Sequence, residues 1–108
     1  MMPGGMWHVE TFASKVAASV LAAFLKDELL PYMRTRGFNV KVFATQYALG
    51  PAQFWLLTEL ENMGSFDRWP EMAEGEPRGR ELMDKITSMV TDVKASVVRD
   101  LEMSGHGR

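Results

Sequence analysis

The sequence predicts one α+β domain in which strands and helices follow the order β-α-β-β-α-β. Stretches with alternating apolar and polar residues, typical of strands, are interleaved with stretches in which apolar residues recur every three or four positions, typical of helices. A short Gly-Pro turn joins the two middle strand-like stretches, which favours an antiparallel hairpin. We therefore expect a four-stranded antiparallel sheet with two helices on one face.

The composition is that of a single globular domain. The chain has 108 residues, of which 46% are hydrophobic and 24% charged. We expect one domain over residues 6–103, between flexible tails at residues 1–5 and 104–108 that offer little to bury. The net charge of -2, with scattered basic residues, argues against nucleic-acid binding.

The sequence contains no cysteine, which excludes disulfides, thiolate nucleophiles and cysteine-based metal sites. No apolar run approaches the length that spans a membrane, and the first residues lack the pattern of a secretion signal. These features predict a cytoplasmic protein without membrane attachment.

The first strand is predicted over residues 6–13, with Trp7, Val9 and Thr11 on one face and His8, Glu10 and Phe12 on the other. Ser14 is expected to cap a core-facing helix that starts at Lys15. Pro31 predicts a kink or restart of that helix, and Gly37 predicts a left-handed end.

The second and third strands are predicted over residues 38–49 and 53–61. Ser65 is expected to cap a second helical region, which is interrupted around Gly75-Glu76-Pro77 and then continues through Val93. Residues 95–103 alternate and are predicted as the fourth strand, although a continuing helix also fits.

The segment 54–60, Phe-Trp-Leu-Leu-Thr-Glu-Leu, is apolar on both faces for most of its length. Two helices can cover one face of a small sheet, so the other face needs a separate cover. The economical solution is a two-fold homodimer in which the helix-free faces of two sheets meet.

The chain resembles the dimeric α+β barrel superfamily, and within it the antibiotic-biosynthesis-monooxygenase-like and NIPSNAP-like domains. The resemblance rests on the element order, on Leu49-Gly50-Pro51 before an apolar strand that ends at residues 58–62, and on the pair Phe66 and Trp69. It implies a ferredoxin-like fold that pairs as a barrel. Members include cofactor-free oxygenases, haem-degrading enzymes and isomerases. The haem-degrading members have a histidine in the second helix, and residues 74–85 contain none, which argues against haem degradation here.

The candidate catalytic residues are His8 and Glu59. His8 shares a strand face with Glu10, so an imidazole and a carboxylate form a possible acid-base pair; a solvated histidine at a strand start is the alternative. Glu59 lies among apolar neighbours as a candidate base, or it simply reaches water or an arginine.

The candidate ligand-binding residues are Tyr47, Trp55, Trp69 and Glu10, around a pocket between sheet and helices; ordinary packing explains the aromatic residues equally well. With two distant histidines and no Asp-rich loop, we expect no metal site and no cofactor.

Two functions therefore remain open from the sequence. One is a small-molecule-binding protein or enzyme, oxygenase-like or isomerase-like, that acts on an aromatic or acyl compound. The other is a non-catalytic dimerisation or ligand-sensing module.

Overall fold

A computed structural model, which describes residues 5–45, 52–65 and 67–104, contains one antiparallel sheet with helices on one face. The strands lie in the order β2-β3-β1-β4, so the predicted ferredoxin-like arrangement is confirmed. The elements are β1 (Met6–Ser14), α1 (Ala18–Phe24), a π-helical turn (Leu25–Leu29), α2 (Leu30–Thr35), β2 (Val40–Ala44), β3 (Gln53–Leu60), a 3₁₀ turn (Met63–Ser65), α3 (Arg68–Glu74), α4 (Pro77–Met89), β4 (Val90–Arg99) and α5 (Leu101–Ser104).

The first helical segment runs without a break from α1 to α2, and its irregularity has a clear cause. Pro31 has no N–H to donate to the carbonyl of Asp27, and its ring would clash with that carbonyl in a regular helix. The π-helical turn directly before Pro31 widens the backbone at this position. The segment ends as predicted at Gly37, whose φ is 88°. The N–H groups of Gly37 and Phe38 donate to the carbonyls of Arg34 and Met33, which is the Schellman pattern.

Both predicted serine caps are wrong. Ser14 is the last residue of β1, and its hydroxyl bonds the backbone of Val16 in a local turn, so the helix begins only at Ala18. Ser65 lies in the 3₁₀ turn and donates to the carbonyl of Asn62 at 2.7 Å. In each case the short hydroxyl side chain closes a turn before the helix instead of capping its first N–H groups.

The last strand starts earlier than predicted. The strand interpretation is confirmed for residues 95–99, but β4 begins at Val90, so Val90 and Val93 lie in the sheet and not in a helix. The strand also ends at Arg99, before the predicted residue 103, because α5 begins at Leu101. The register between β1 and β4 shifts between Thr11 and Ala13, and Asp92 has a φ of 56° at this irregularity. The bulge hides the alternation of β4, which explains why the helical spacing looked continuous.

The core lies between the sheet and the helices. Phe12 and Phe54 stack with ring centroids 6.1 Å apart on the covered face of β1 and β3. The other main members are Leu21, Leu25, Leu29, Met33, Val40, Leu56, Leu82 and Ile86. The opposite surface, here called the helix-free face, carries Trp7, Val9, Thr11, Phe43, Trp55 and Leu57.

Gly79 allows α4 to pack closely on α3. A Cβ at this position would lie 2.7 Å from the Cα of Ala73, which is fully buried backbone. We expect Gly79→Ala to lower the free energy of unfolding by about 1–3 kcal/mol, because the two helices must move apart. Urea unfolding of the purified variant measures this.

Gly75→Ala is the matched control for that variant. Gly75 has a φ of -80°, and a Cβ there would meet Glu71 O at 3.5 Å, an ordinary contact. We expect the free energy of unfolding to change by less than about 1 kcal/mol. Equal losses in the two variants would contradict the close approach at Gly79.

Candidate functional site

A cavity of about 260 Å³ lies between the sheet and the helical layer. Its floor is formed by β1 and β3, and its walls by α2, the loop before β2, α3 and α4. The apolar and aromatic lining residues include Met33, Phe38, Leu56, Trp69 and Met83. We call this space the larger cavity, to distinguish it from a smaller cavity beside it. Its walls suit a small compound with a flat apolar body.

Three polar side chains interrupt the apolar floor. His8 and Thr58 are directly opposite each other on β1 and β3, and Glu10 follows His8 on the same face of β1. All three line the larger cavity, and we call them the polar row. Thr58 is only 6% exposed, whereas His8 and Glu10 are half-buried. A sheet surface under helices normally carries apolar residues, so this row marks the place where a polar ligand group could bind.

A smaller cavity of about 110 Å³ lies next to the larger one, toward β4. Glu10, Leu56, Trp69 and Met83 line both spaces and therefore form the wall between them. The smaller cavity is otherwise lined mainly by apolar residues, among them Phe12, Leu29, Ile86 and Val90.

Trp69 is held in this wall by two aromatic rings. Its indole meets the Tyr32 ring with centroids 6.1 Å apart at 72° and the Phe38 ring at 5.6 Å and 85°, both edge-to-face. The guanidinium of Arg68 lies 4.7 Å above the Phe38 ring, at the mouth of the larger cavity. The indole therefore has aromatic contacts from two separate elements.

Tyr32, Arg36 and Glu76 form a compact group behind Trp69, which we call the Tyr32 cluster. The Tyr32 hydroxyl donates to the Glu76 carboxylate. Arg36 Nε donates to both oxygens of the same carboxylate at 3.0 and 3.2 Å, and its guanidinium lies 4.7 Å above the Tyr32 ring. Hydrogen bonds from Arg36 and Tyr32 hold the pKa of Glu76 below its ordinary value, whereas burial and the Glu76 carboxylate raise the pKa of Tyr32.

The predicted site residues do not all lie together. His8, Glu10 and Trp69 line the larger cavity. Glu59 lies only at its rim, because it is paired with Trp7 and so has the strand parity of the helix-free face. Its Oε1 accepts a hydrogen bond from Asn39 Nδ2 at 2.7 Å. Trp55 lies on the helix-free face, opposite Thr11 and Phe43 in the sheet register, and does not line this cavity. Tyr47, like Phe66 and residues 49–51 of the sequence resemblance, lies outside the described residues.

Several residues of the site were missed in the sequence. Thr58 gave a usable signal, because it is the polar member of an otherwise apolar face of β3. Met83 carried only the helical spacing that core residues also show. The Tyr32 cluster gave no signal, because Tyr32 and Glu76 are 44 positions apart in the chain.

No group of three or more His, Cys, Asp or Glu side chains that could hold a metal ion occurs within residues 5–45, 52–65 and 67–104. Over the same described residues, no helix combines the length and the apolar character needed to cross a membrane.

Glu76→Gln is expected to lower the free energy of unfolding at about pH 7, and this difference from the unaltered protein should shrink as the pH is lowered to about 3. The folded-state pKa of Glu76 is below the ordinary 4.5, so its contribution to stability is present above that value and is lost as the pH falls through the lowered pKa. Urea unfolding at both pH values measures the difference. A loss of equal size at both pH values would contradict the role of the ionised carboxylate.

Comparisons with known proteins identify the fold. No protein-family model matches the sequence, and no curated protein matches it. Among solved structures, the chain is similar to a NIPSNAP-like domain protein from Burkholderia xenovorans, with a TM-score of 0.68, 15% identity and coverage of 90% of this chain and 86% of that one. It is also similar to SnoaB, a cofactor-independent oxygenase from Streptomyces nogalater, with a TM-score of 0.62, 12% identity and coverage of 88% and 91%.

A dimeric protein of ferredoxin-like fold from Bacteroides fragilis is a third neighbour, with a TM-score of 0.59, 9% identity and coverage of 92% of this chain and all of that one. An antibiotic-biosynthesis-monooxygenase-like protein from Bacillus cereus is similar as well. Identities this low establish likeness of fold and no shared activity. The chain therefore has the ferredoxin-like fold of NIPSNAP-like and antibiotic-biosynthesis-monooxygenase-like proteins, as the resemblance in sequence implied.

Proposed function

We propose that this protein binds a small aromatic or acyl compound in the larger cavity. The observation that carries the proposal is the polar row of His8, Glu10 and Thr58 on a sheet surface that helices cover. A few polar side chains on an otherwise apolar cavity wall are the groups that fix the orientation of a bound ligand, and a ligand with a hydroxyl or carbonyl group suits them.

The proposed binding mode follows from the walls of the cavity. The flat apolar part of the ligand lies among Phe38, Trp69 and Met83, and its polar group faces the polar row. The imidazole of His8 is the member of the polar row that can act as a base toward a phenolic or enolic hydroxyl, and the Glu10 carboxylate lies on the same strand face. Removal of the hydroxyl proton makes the ring electron-rich, the form in which such compounds react with molecular oxygen.

We therefore propose a reaction without a cofactor that starts with proton transfer to His8 as base. The reaction is either oxygenase-like or isomerase-like. SnoaB, a cofactor-independent oxygenase of the same fold, supports this direction. Glu59 stays a second candidate base at the rim of the cavity. The alternative is a ligand-sensing module that binds the compound without turnover, and the cytoplasm is the proposed location in either case.

We also propose that the protein is a homodimer that pairs through the helix-free face. Trp7, Val9, Trp55 and Leu57 are only half-buried there, and Phe43 is 54% exposed. These apolar side chains lie next to one another in the sheet register, with Lys41 beside them, and exposed apolar residues grouped in this way are typical of an interface. The dimeric neighbour of ferredoxin-like fold supports the same assembly.

Leu57→Glu is expected to convert the dimer into a monomer. Leu57 is paired with Val9 on one side and Lys41 on the other, so the new carboxylate would lie within the helix-free face and lose its water on pairing. Sedimentation velocity at matched concentrations measures the change. Ser88→Glu, on the exposed side of α4, is the control and should remain dimeric. A monomeric unaltered protein would contradict the proposal.

Met83→Trp is expected to weaken ligand binding at least about tenfold, because the larger side chain fills the space between the two cavities. Binding of phenol, naphthol and polyphenol compounds is measured by native mass spectrometry and by NMR titration. Ser88→Trp adds the same side chain to the exposed side of α4 and should leave binding unchanged.

Absence of binding to the unaltered protein, or equal binding by both variants, would contradict the proposed site.

Oxygen consumption with a polyphenol separates the two candidate functions. Turnover that disappears in His8→Gln supports catalysis with His8 as base, and turnover that disappears only in Glu59→Gln would assign that role to Glu59. Binding without turnover would favour the ligand-sensing module.

A further inference from the structure

Trp69 occupies a decisive place in the site, because it borders both the larger and the smaller cavity. The other residues common to both spaces are Glu10, Leu56 and Met83. Of these four side chains, the indole is the largest rigid group. Its orientation therefore determines whether the two cavities are separate or form one longer space.

The two rings that contact the Trp69 indole differ in burial: Phe38 is buried and Tyr32 is half-buried. Phe38 is a core residue, 9% exposed, and its ring also lies beneath the Arg68 guanidinium. Tyr32 is only half-buried and belongs to α2, while Trp69 belongs to α3. The Tyr32 ring keeps its position through its hydroxyl bond to Glu76, at the junction between α3 and α4, and through the overlying Arg36.

The Tyr32 cluster makes only a modest contribution to stability. The side chains of Arg36 and Glu76 are 39% and 35% exposed, and ion pairs at such exposure contribute little to the free energy of unfolding. However, each of its three side chains contacts the other two. The Glu76 carboxylate accepts hydrogen bonds from Tyr32 and Arg36, and the Arg36 guanidinium lies over the Tyr32 ring. Such an arrangement fixes the direction of the Tyr32 ring.

We propose that Tyr32, Arg36 and Glu76 are positioning residues that hold Trp69 as the wall between the two cavities and so exclude ligands longer than the larger cavity. The choice of ligand length rests on the proposed function, whereas the positioning of Trp69 does not. When the cluster is broken, the indole gains freedom on its Tyr32 side, and a longer ligand can extend into the smaller cavity.

The test compares Tyr32→Phe and Glu76→Gln with the unaltered protein. Tyr32→Phe keeps the ring against Trp69 and removes only its hydroxyl. Glu28→Gln is the matched control, since Glu28 also joins the first helical segment to α4 through Arg78 and Lys85, and it does not line either cavity beside Trp69. Urea unfolding first establishes that all three variants fold.

Two measurements follow. The first is the ¹H-¹⁵N signal of the Trp69 indole in the ligand-free protein, assigned with Trp69→Phe. The second is the ratio of dissociation constants for 4-phenylphenol, which is long and rigid, and phenol. We expect the indole signal to move in Tyr32→Phe and Glu76→Gln, and the ratio to shift about threefold to tenfold in favour of 4-phenylphenol. In Glu28→Gln both quantities should stay as in the unaltered protein.

An unmoved Trp69 signal in both cluster variants, or an equal movement in Glu28→Gln, would overturn the positioning role. A signal that moves while the ratio stays constant would overturn the selection by ligand length. If the unaltered protein binds neither phenol, the proposed function fails, and the indole signal alone then decides whether the Tyr32 cluster positions Trp69.

Discussion

The structure depends on the two-sided apolar character of β3. Phe54, Leu56 and Leu60 are buried beneath the helices, while Trp55 and Leu57 lie on the opposite face and are only half-buried. Because successive side chains of a strand point to opposite faces, one layer of helices cannot cover both sets. This strand therefore needs neighbours in the sheet on both edges, which β1 and β2 supply, and a cover on each face. The helical layer is one cover, and the proposed partner subunit is the other.

The helical layer does not fill all the space above β1 and β3. The first helical segment ends in the Schellman turn at Gly37, and α3 ends at Glu74, before Pro77 starts α4, so both segments stop beside the cavity. Trp69 and Phe38 close part of that space by edge-to-face contacts. The larger cavity is what remains between these rings and the polar row. Its position thus follows from where the two helical segments stop.

The sequence predicted the fold well where a single residue type forces the backbone. Gly37 is left-handed, Pro31 follows an irregular turn, and the break before Pro77 lies where it was expected. The sequence-based prediction was wrong where a side chain can form either of two local hydrogen-bonding patterns. Ser14 and Ser65 have the residue type of helix caps, but their hydroxyls close turns instead. The start of β4 was also misplaced, because the bulge around Asp92 breaks the alternation.

The site was only partly predictable for a related reason. His8 and Glu10 follow from the alternation of one strand, which is a local pattern, and the structure places both at the same cavity. The contacts of Trp69 with Tyr32 and Phe38 join residues more than thirty positions apart, and no periodicity indicates them. Trp55 is among the predicted ligand-binding residues, yet its parity in β3 places it on the other face. Residue type alone cannot decide between the two faces, whereas the pairing register does.

The residues on the two faces of β1 also indicate what the protein does. In β1, Trp7 and Val9 face the helix-free side, while His8 and Glu10 face the helices. A protein whose only purpose was to dimerise would need the first pair, and that purpose does not require the second. The polar row contributes nothing to a surface on the opposite side of the sheet. Its third member, Thr58, lies on the neighbouring strand, directly across from His8. The two faces of the sheet thus carry different kinds of side chain, and the proposed ligand with its polar group belongs to the covered face.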